Sequence, residues 1–124
     1  MPYTIAAFVT RKPTLSPTDF QAAYENHVPF LRDTVGSGAP ETFTRQYVRR
    51  AKADPKGLKP VSFTDSQEVF NHDLIAYMTF RDEEHAQVFQ QAYEENKQAI
   101  GEKVAEFAEL SQFQVIAFHD AISD

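Results

Sequence analysis

The sequence predicts an α+β fold of the ferredoxin-like type, β-α-β-β-α-β, with an antiparallel four-stranded sheet and two helices on one face. Three observations predict it. Four short segments are rich in β-branched and aromatic residues, two longer segments repeat apolar residues at helical spacing, and the middle two strand segments follow each other with no helix between them.

Tyr3 to Thr10 reads as the first strand, stopped by Arg11-Lys12-Pro13. SPTD follows, with Ser16 as N-cap, Pro17 at the first helical position and Asp19 closing a capping box. The helix is expected from Pro17 to about Val35, ending in a flexible GSGAP. Phe20, Tyr24, His27, Leu31 and Val35 share one face of it, and Pro29, unable to donate to the Glu25 carbonyl, is expected to kink it. Phe43 to Arg50 reads as the second strand, with Phe43, Arg45, Tyr47 and Arg49 on one side. Ala51 to Gln67, holding Pro55, Gly57 and Pro60, reads as a long loop of the kind that covers a site. His72 to Phe80 is the third strand. Asp82 caps a long second helix carrying Phe89, Ala92, Tyr93, Ile100, Val104 and Phe107, with a bend expected near Gly101. Gln112 to Asp120 is the last strand. Residues 1–124 are thus expected to form one domain.

Both sides of the sheet are apolar. The first strand places Ile5, Ala7 and Val9 on one side and Ala6 and Phe8 on the other; the last divides Phe113, Val115 and Ala117 from Gln114, Ile116 and Phe118. Helices cover one face only, so the second face is expected to be buried in a homodimer.

Composition excludes several functions. The formal charge of −6, from 12 basic and 18 acidic residues, argues against nucleic acid or an anionic membrane as partner. No cysteine is present, which removes thiolate chemistry and fits a reducing, cytoplasmic setting. No apolar run approaches the roughly 18 residues that span a bilayer, and the N-terminus lacks the features of a signal peptide. The four histidines show no helical i, i+4 pair and no H-E-x-x-H, so no metal site is expected. No phosphate-binding glycine loop or G-x-S-x-G occurs, so no nucleotide cofactor or covalent mechanism is expected. Eleven Phe and five Tyr make the interior aromatic, suited to a flat ligand or merely to filling a core.

His27 is the residue out of place. It lies about 20° from the centre of an apolar helical stripe, where a part-buried imidazole titrating near neutrality suits proton transfer. A core histidine satisfied by one partner fits the same pattern. Arg45, Tyr47 and Arg49 share a strand face, where an arginine beside a tyrosine offers donors for a carboxylate or phenolate; Arg49 and Arg50 read first as charges on a solvated edge. His72 and Asp73 are adjacent, point to opposite faces and form no dyad. His119 reaches a pocket or caps the sheet, and His85 is expected to be solvated in the second helix's first turn.

AFVTRKPTLSPTDFQAAYENHVPFL, with its RKP turn, Ser-Pro helix start and His-x-Pro, resembles the EthD-type domains of the dimeric α/β-barrel superfamily. The resemblance continues through FTRQYVRR, DLIAYMTF and FAELSQFQVIAF and is closest to small fungal members of aromatic polyketide pathways. It implies a cofactor-independent lyase or cyclase, a decarboxylase or dehydratase, acting on a phenolic substrate in a cavity between the sheet and the first helix. The resemblance gives His27 a pocket to face. On it His27, with Tyr47 or Tyr77, is the catalytic group, and Tyr24, Arg45, Arg49 and His119 bind substrate. A cofactor-free monooxygenase and a non-catalytic binding protein are the alternatives. The chain departs from those fungal relatives where they carry acids: Tyr77 stands at one such position, and KVAEF (Lys103 to Phe107) keeps only Glu106.

Overall fold

The computed structural model describes residues 1–52, 58–64 and 70–124. Strand β1 (Tyr3–Val9), helix α1 (Pro17–Val35), strands β2 (Thr42–Tyr47) and β3 (Leu74–Phe80), helices α2 (Glu83–Glu95) and α3 (Lys97–Ala105) and strand β4 (Gln114–Phe118) follow in that order. The strands form one sheet, β2-β3-β1-β4, in which every neighbouring pair is antiparallel. This is the ferredoxin-like α+β architecture.

Strand alternation sorts the side chains onto two faces. Ile5, Ala7 and Val9 of β1 stand in register with Met78, Ala76 and Leu74 of β3. All six are buried, packed with Phe20, Tyr24, Leu31 and Val35 of α1. The opposite face carries Phe8, Tyr77, Ile116 and Phe118, of which Ile116 and Phe118 are 45% and 47% exposed.

Helix α1 begins as its sequence dictates. Ser16 Oγ accepts the Asp19 N–H at 3.1 Å, and Pro17 occupies a first-turn position where no backbone donor is needed. The helix is not split at Pro29 and ends at Gly36, whose φ of 56° suits glycine alone. GSGAP, expected to be flexible, instead forms a 3-10 turn with Gly38 buried. Gly38 presses on α2 so closely that an added Cβ would lie 2.8 Å from the backbone N and Cα of Phe89.

His85 clamps the same junction, and the expectation that it is solvated is wrong. It is 6% exposed, its Nδ1 accepts the Arg81 N–H at 3.0 Å, and its Nε2–H donates to the Ala39 carbonyl at 2.9 Å. Being in a helix's first turn did not expose it, because the turn after α1 folds over that spot. The expected bend at Gly101 is also misplaced. The break comes at Asn96, whose side-chain amide donates to the Ala92 carbonyl at 2.8 Å and competes with the backbone ladder there.

The outer strands are shorter than expected. Beyond Tyr47 the chain leaves the sheet, yet Val61 N–H donates to the Arg49 carbonyl and Ala51 N–H to the Lys59 carbonyl. The expected long loop therefore starts as a paired ribbon; residues 53–57 and 65–69 of it lie outside the described residues. Arg50, read as a solvated charge, contacts the buried carboxylate of Asp73, which also accepts the Arg11 N–H at 2.7 Å. Asp73 thereby ties the exits of β1 and β2 to the start of β3.

Two glycine substitutions separate packing from conformational freedom. Gly38→Ala meets backbone that cannot swing aside and should lower unfolding stability by about 1–3 kcal/mol. Gly101→Ala, inside α3 with nothing within 4 Å of its Cβ, should raise it by about 0.5–1 kcal/mol. Chemical denaturation of both variants checks the pair; equal effects would contradict the close approach at Gly38.

Candidate active site

Helix α1 turns Phe20, Tyr24, His27, Leu31 and Val35 inward, so His27 joins the buried layer at 3% exposure. Its ring is 5.3 Å from that of Phe107, 5.6 Å from Tyr24 and 5.9 Å from Phe30, centroid to centroid. Nδ1 is enclosed, and among the described residues it has no partner and no hydrogen bond holds either ring nitrogen. His27 is therefore not a core histidine satisfied by one partner. A buried polar atom left unpaired calls for an explanation, and a ligand is one.

The ring is also neutral. Its desolvation, and secondarily the Lys103 ammonium nearby, depress its pKa to about 4. The sequence-based expectation of a value near neutrality failed because the stripe buries this ring without an acid beside it.

His27 lines a cavity of about 530 Å3, within the range of small-molecule sites, roughly 300–1,000 Å3. One wall is the sheet, from Ile5, Ala7, Met78 and Phe80 across to Val115 and Ala117. The other is built by Tyr24, His27 and Leu31 of α1 and by Ala86, Phe89 and Tyr93 of α2. The cavity thus lies between the sheet and two helices, rather than the sheet and the first helix alone. Burial raises the pKa of both the Tyr24 and the Tyr93 phenol, so each hydroxyl stays a neutral donor.

Of the candidate residues, only His27 and Tyr24 line this cavity. Tyr47 does not: its hydroxyl donates to Glu25 Oε2 at 2.6 Å. Arg45 grips the same carboxylate, Nε to Oε2 at 3.0 Å and Nη2 to Oε1 at 2.7 Å. That guanidinium holds the Glu25 carboxyl below the usual range, while desolvation and the Glu25 bond raise the Tyr47 phenol. The pair expected to hold a substrate anion is thus closed by an anion of the protein itself, and α1 supplies it from the position next to Tyr24. Tyr77 alternates with the cavity residue Met78 and pairs with Ala6, so it lies on the opposite sheet face from His27. An acid at position 77 would face away from this cavity too. Arg49 is exposed beyond the end of β2, and His119 is exposed just past β4; neither lines the cavity.

Sequence reasoning missed Tyr93 as a site residue, reading it only as part of the apolar stripe of the second helix. Its hydroxyl, one turn after Phe89, was the available signal. It also missed Glu83, Gln87, Gln90 and Glu94, which line the cavity from the exposed side of α2. Their spacing of four, three and four residues places them along one edge of that helix. Among the described residues no three His, Cys, Asp or Glu side chains converge as metal ligands, and no helix is long and apolar enough to cross a membrane.

Residues 12–111 match the model of the EthD domain. No curated protein matches the chain. Among solved structures, an ethyl tert-butyl ether d (EthD) family protein from Bacillus halodurans is 15% identical with a TM-score of 0.59, over 98% of this chain and 100% of that one. A dimeric protein of ferredoxin-like fold from Bacteroides fragilis is 8% identical with a TM-score of 0.53, over 96% of each chain. SnoaB, a cofactor-independent oxygenase from Streptomyces nogalater, is 9% identical with a TM-score of 0.51, over 98% of this chain and 94% of that one. At these identities the likeness is one of fold.

The neutral, enclosed His27 makes stability depend on acid. Its pKa is about 4 folded against about 6.5 unfolded. The unfolded chain therefore binds the extra proton between those values, and stability is full above pH 6.5 and falls as the pH drops toward 4. The loss should be on the order of 3 kcal/mol. Denaturant unfolding of the wild type and His27→Phe across that range checks it: the variant should lose this component of the slope, and parallel curves would contradict it.

Proposed function

The chain belongs to the EthD domain family, and from that premise we propose that it is a cofactor-independent lyase or cyclase. Its substrate is an aromatic polyketide-type intermediate held in the cavity, and its chemistry is proton transfer by His27. The observation that carries this reading is the unpartnered, neutral imidazole of His27 on the wall of an aromatic cavity that also holds two un-ionised phenols. A neutral imidazole accepts a proton and returns it, and a neutral phenol donates to an oxygen that gains charge.

In this proposal Tyr24 and Tyr93 take the role expected of Tyr47 and Tyr77. For dehydration of a β-hydroxy ketone, His27 removes the α-proton. The C–H electron pair moves into the carbonyl, whose oxygen becomes an enolate held by a tyrosine hydroxyl. The enolate then re-forms the ketone and expels the β-hydroxyl, which leaves as water with the proton from the His27 imidazolium. A histidine of low pKa is a weak base but a strong conjugate acid, which favours the expulsion step. The nascent enolate raises that pKa during the first step, because an adjacent negative charge stabilises the imidazolium. Decarboxylation of a β-keto acid uses the same groups: His27 takes the carboxyl proton, the tyrosine holds the enolate oxygen formed as CO2 leaves, and the imidazolium returns that proton to the carbon.

The same reading includes a homodimer. The uncovered face bearing Phe8, Tyr77, Ile116 and Phe118 is apolar and partly exposed, and a structurally similar protein is described as dimeric. The oxygenase reading draws on the likeness to SnoaB and parts from the lyase reading on dioxygen.

The test is mass spectrometry of candidate phenolic polyketides incubated with the protein, with and without oxygen. Turnover should persist under strict anaerobiosis, and oxygen-dependent product would replace this reading by the oxygenase. His27→Ala should lower turnover by about 10²–10⁴-fold while leaving the fold intact by circular dichroism; Tyr24→Phe should lower kcat more than it changes KM. An active His27→Ala protein would sink the assignment.

A further inference from the structure

The charges around the cavity narrow what it can take. Among the described residues, those that line it include no lysine and no arginine, but they include Glu83 and Glu94. The arginine best placed in sequence to receive an anion, Arg45, is closed on Glu25. The N-terminal end of α2 adds Asp82 and Glu84 beside Glu83, along a second cleft that shares Tyr3 and Glu83 with the cavity. The neutral phenols of Tyr24, beside His27, and of Tyr93 share the cavity wall with that histidine, and the Lys103 ammonium acts on its imidazole from outside that wall. Between Glu83 and Glu94 on the same helix edge stand Gln87 and Gln90, whose amides both donate and accept.

We infer that this cavity selects uncharged ligands: their aromatic body lies inside against His27, their outer end carries hydroxyl or amide groups read by Gln87 and Gln90, and Glu83 and Glu94 turn carboxylates away. Acidic residues alone would not make a site. Here they line, from the exposed edge of α2, a cavity whose wall also holds a 3%-exposed imidazole with no hydrogen-bond partner among the described residues. A carboxylate entering it would lose water, meet no lysine or arginine among the described residues of the wall and meet two like charges there. The Lys103 ammonium acts on His27 through its field but is not one of those wall residues. A phenol or ketone loses far less hydration and meets no like-charge repulsion.

The inference rests on the proposed function and sharpens it. Of the reactions that reading allows, dehydration or cyclisation of a neutral substrate fits the wall, and decarboxylation of a free carboxylate does not. The enzyme acting before this one would then deliver a ligand already freed of its carboxylate or holding it as an ester or lactone.

A matched pair of probes tests the selection: 2-naphthol, neutral at pH 7, and 2-naphthoate, its carboxylate counterpart, measured by calorimetry or fluorescence on the wild type and on the Glu83→Gln/Glu94→Gln double variant. The wild type should bind naphthol at least tenfold more tightly than naphthoate at low salt. The double variant should close that gap several-fold by gaining naphthoate affinity, with naphthol affinity unchanged, and 0.5 M NaCl should narrow it in the wild type alone. Naphthoate binding equal to or tighter than naphthol would overturn the selection while leaving an aromatic cavity in place. A gap untouched by the double variant would overturn the role of the two glutamates. Failure of both probes to bind would overturn the inference together with the proposed function.

Discussion

Exclusion of water from the layer between the sheet and the helices is the constraint on which the rest depends. Charged groups in that layer must find partners, change protonation or leave it. Asp73 takes the first course, meeting Arg11 and Arg50 where three chain segments join. Glu25 and Arg45 sit at the margin and close on each other. His27 takes the second course and stays neutral, because aromatic rings surround it and the nearby charge of Lys103 has the same sign as an imidazolium. Its neutrality is a consequence of where α1 lies, and α1 lies there because of its apolar stripe.

The cavity follows from the way α2 is held. Gly38 against the Phe89 backbone and His85 on the Ala39 carbonyl fix the start of α2 to the end of α1. Farther along, the break at Asn96 turns the chain into α3, whose Ile100 and Val104 complete the core. Between those points α2 presents Ala86, Phe89 and Tyr93 inward and the Glu83–Glu94 edge outward. One helix thus supplies both the apolar body of the cavity and the polar side of it. On the far side β4 exposes all five of its residues, so Val115 and Ala117 line the space without closing it.

The order of elements, the cap at Ser16, the inward stripe of α1 and the place of His27 on that stripe were all legible, because each rests on spacing within one segment. What the sequence hid depends on which surfaces meet. Tyr77 could be assigned to the wrong face because Leu74, Ala76 and Met78 alternate with Ile75 and Tyr77, and both sets are compatible with burial. Tyr47 looked available because Glu25, its partner, is distant in sequence and on a different element. His85 looked solvated because nothing in its own turn shows that the Gly36–Gly38 turn covers it. Tyr93 was visible as a stripe residue, but a stripe cannot say whether it faces a filled core or a space.

The central claim is that His27 is a neutral, unpartnered imidazole facing a ligand cavity. A nuclear magnetic resonance titration of its ring nitrogens, assigned through His27→Gln, measures that state directly. The account predicts a ring that is neutral at pH 7, titrates near 4, and shifts its nitrogen resonances when a phenolic ligand fills the cavity. A ring that titrates at 6.5 or above, or one whose nitrogens ignore such a ligand, would contradict it.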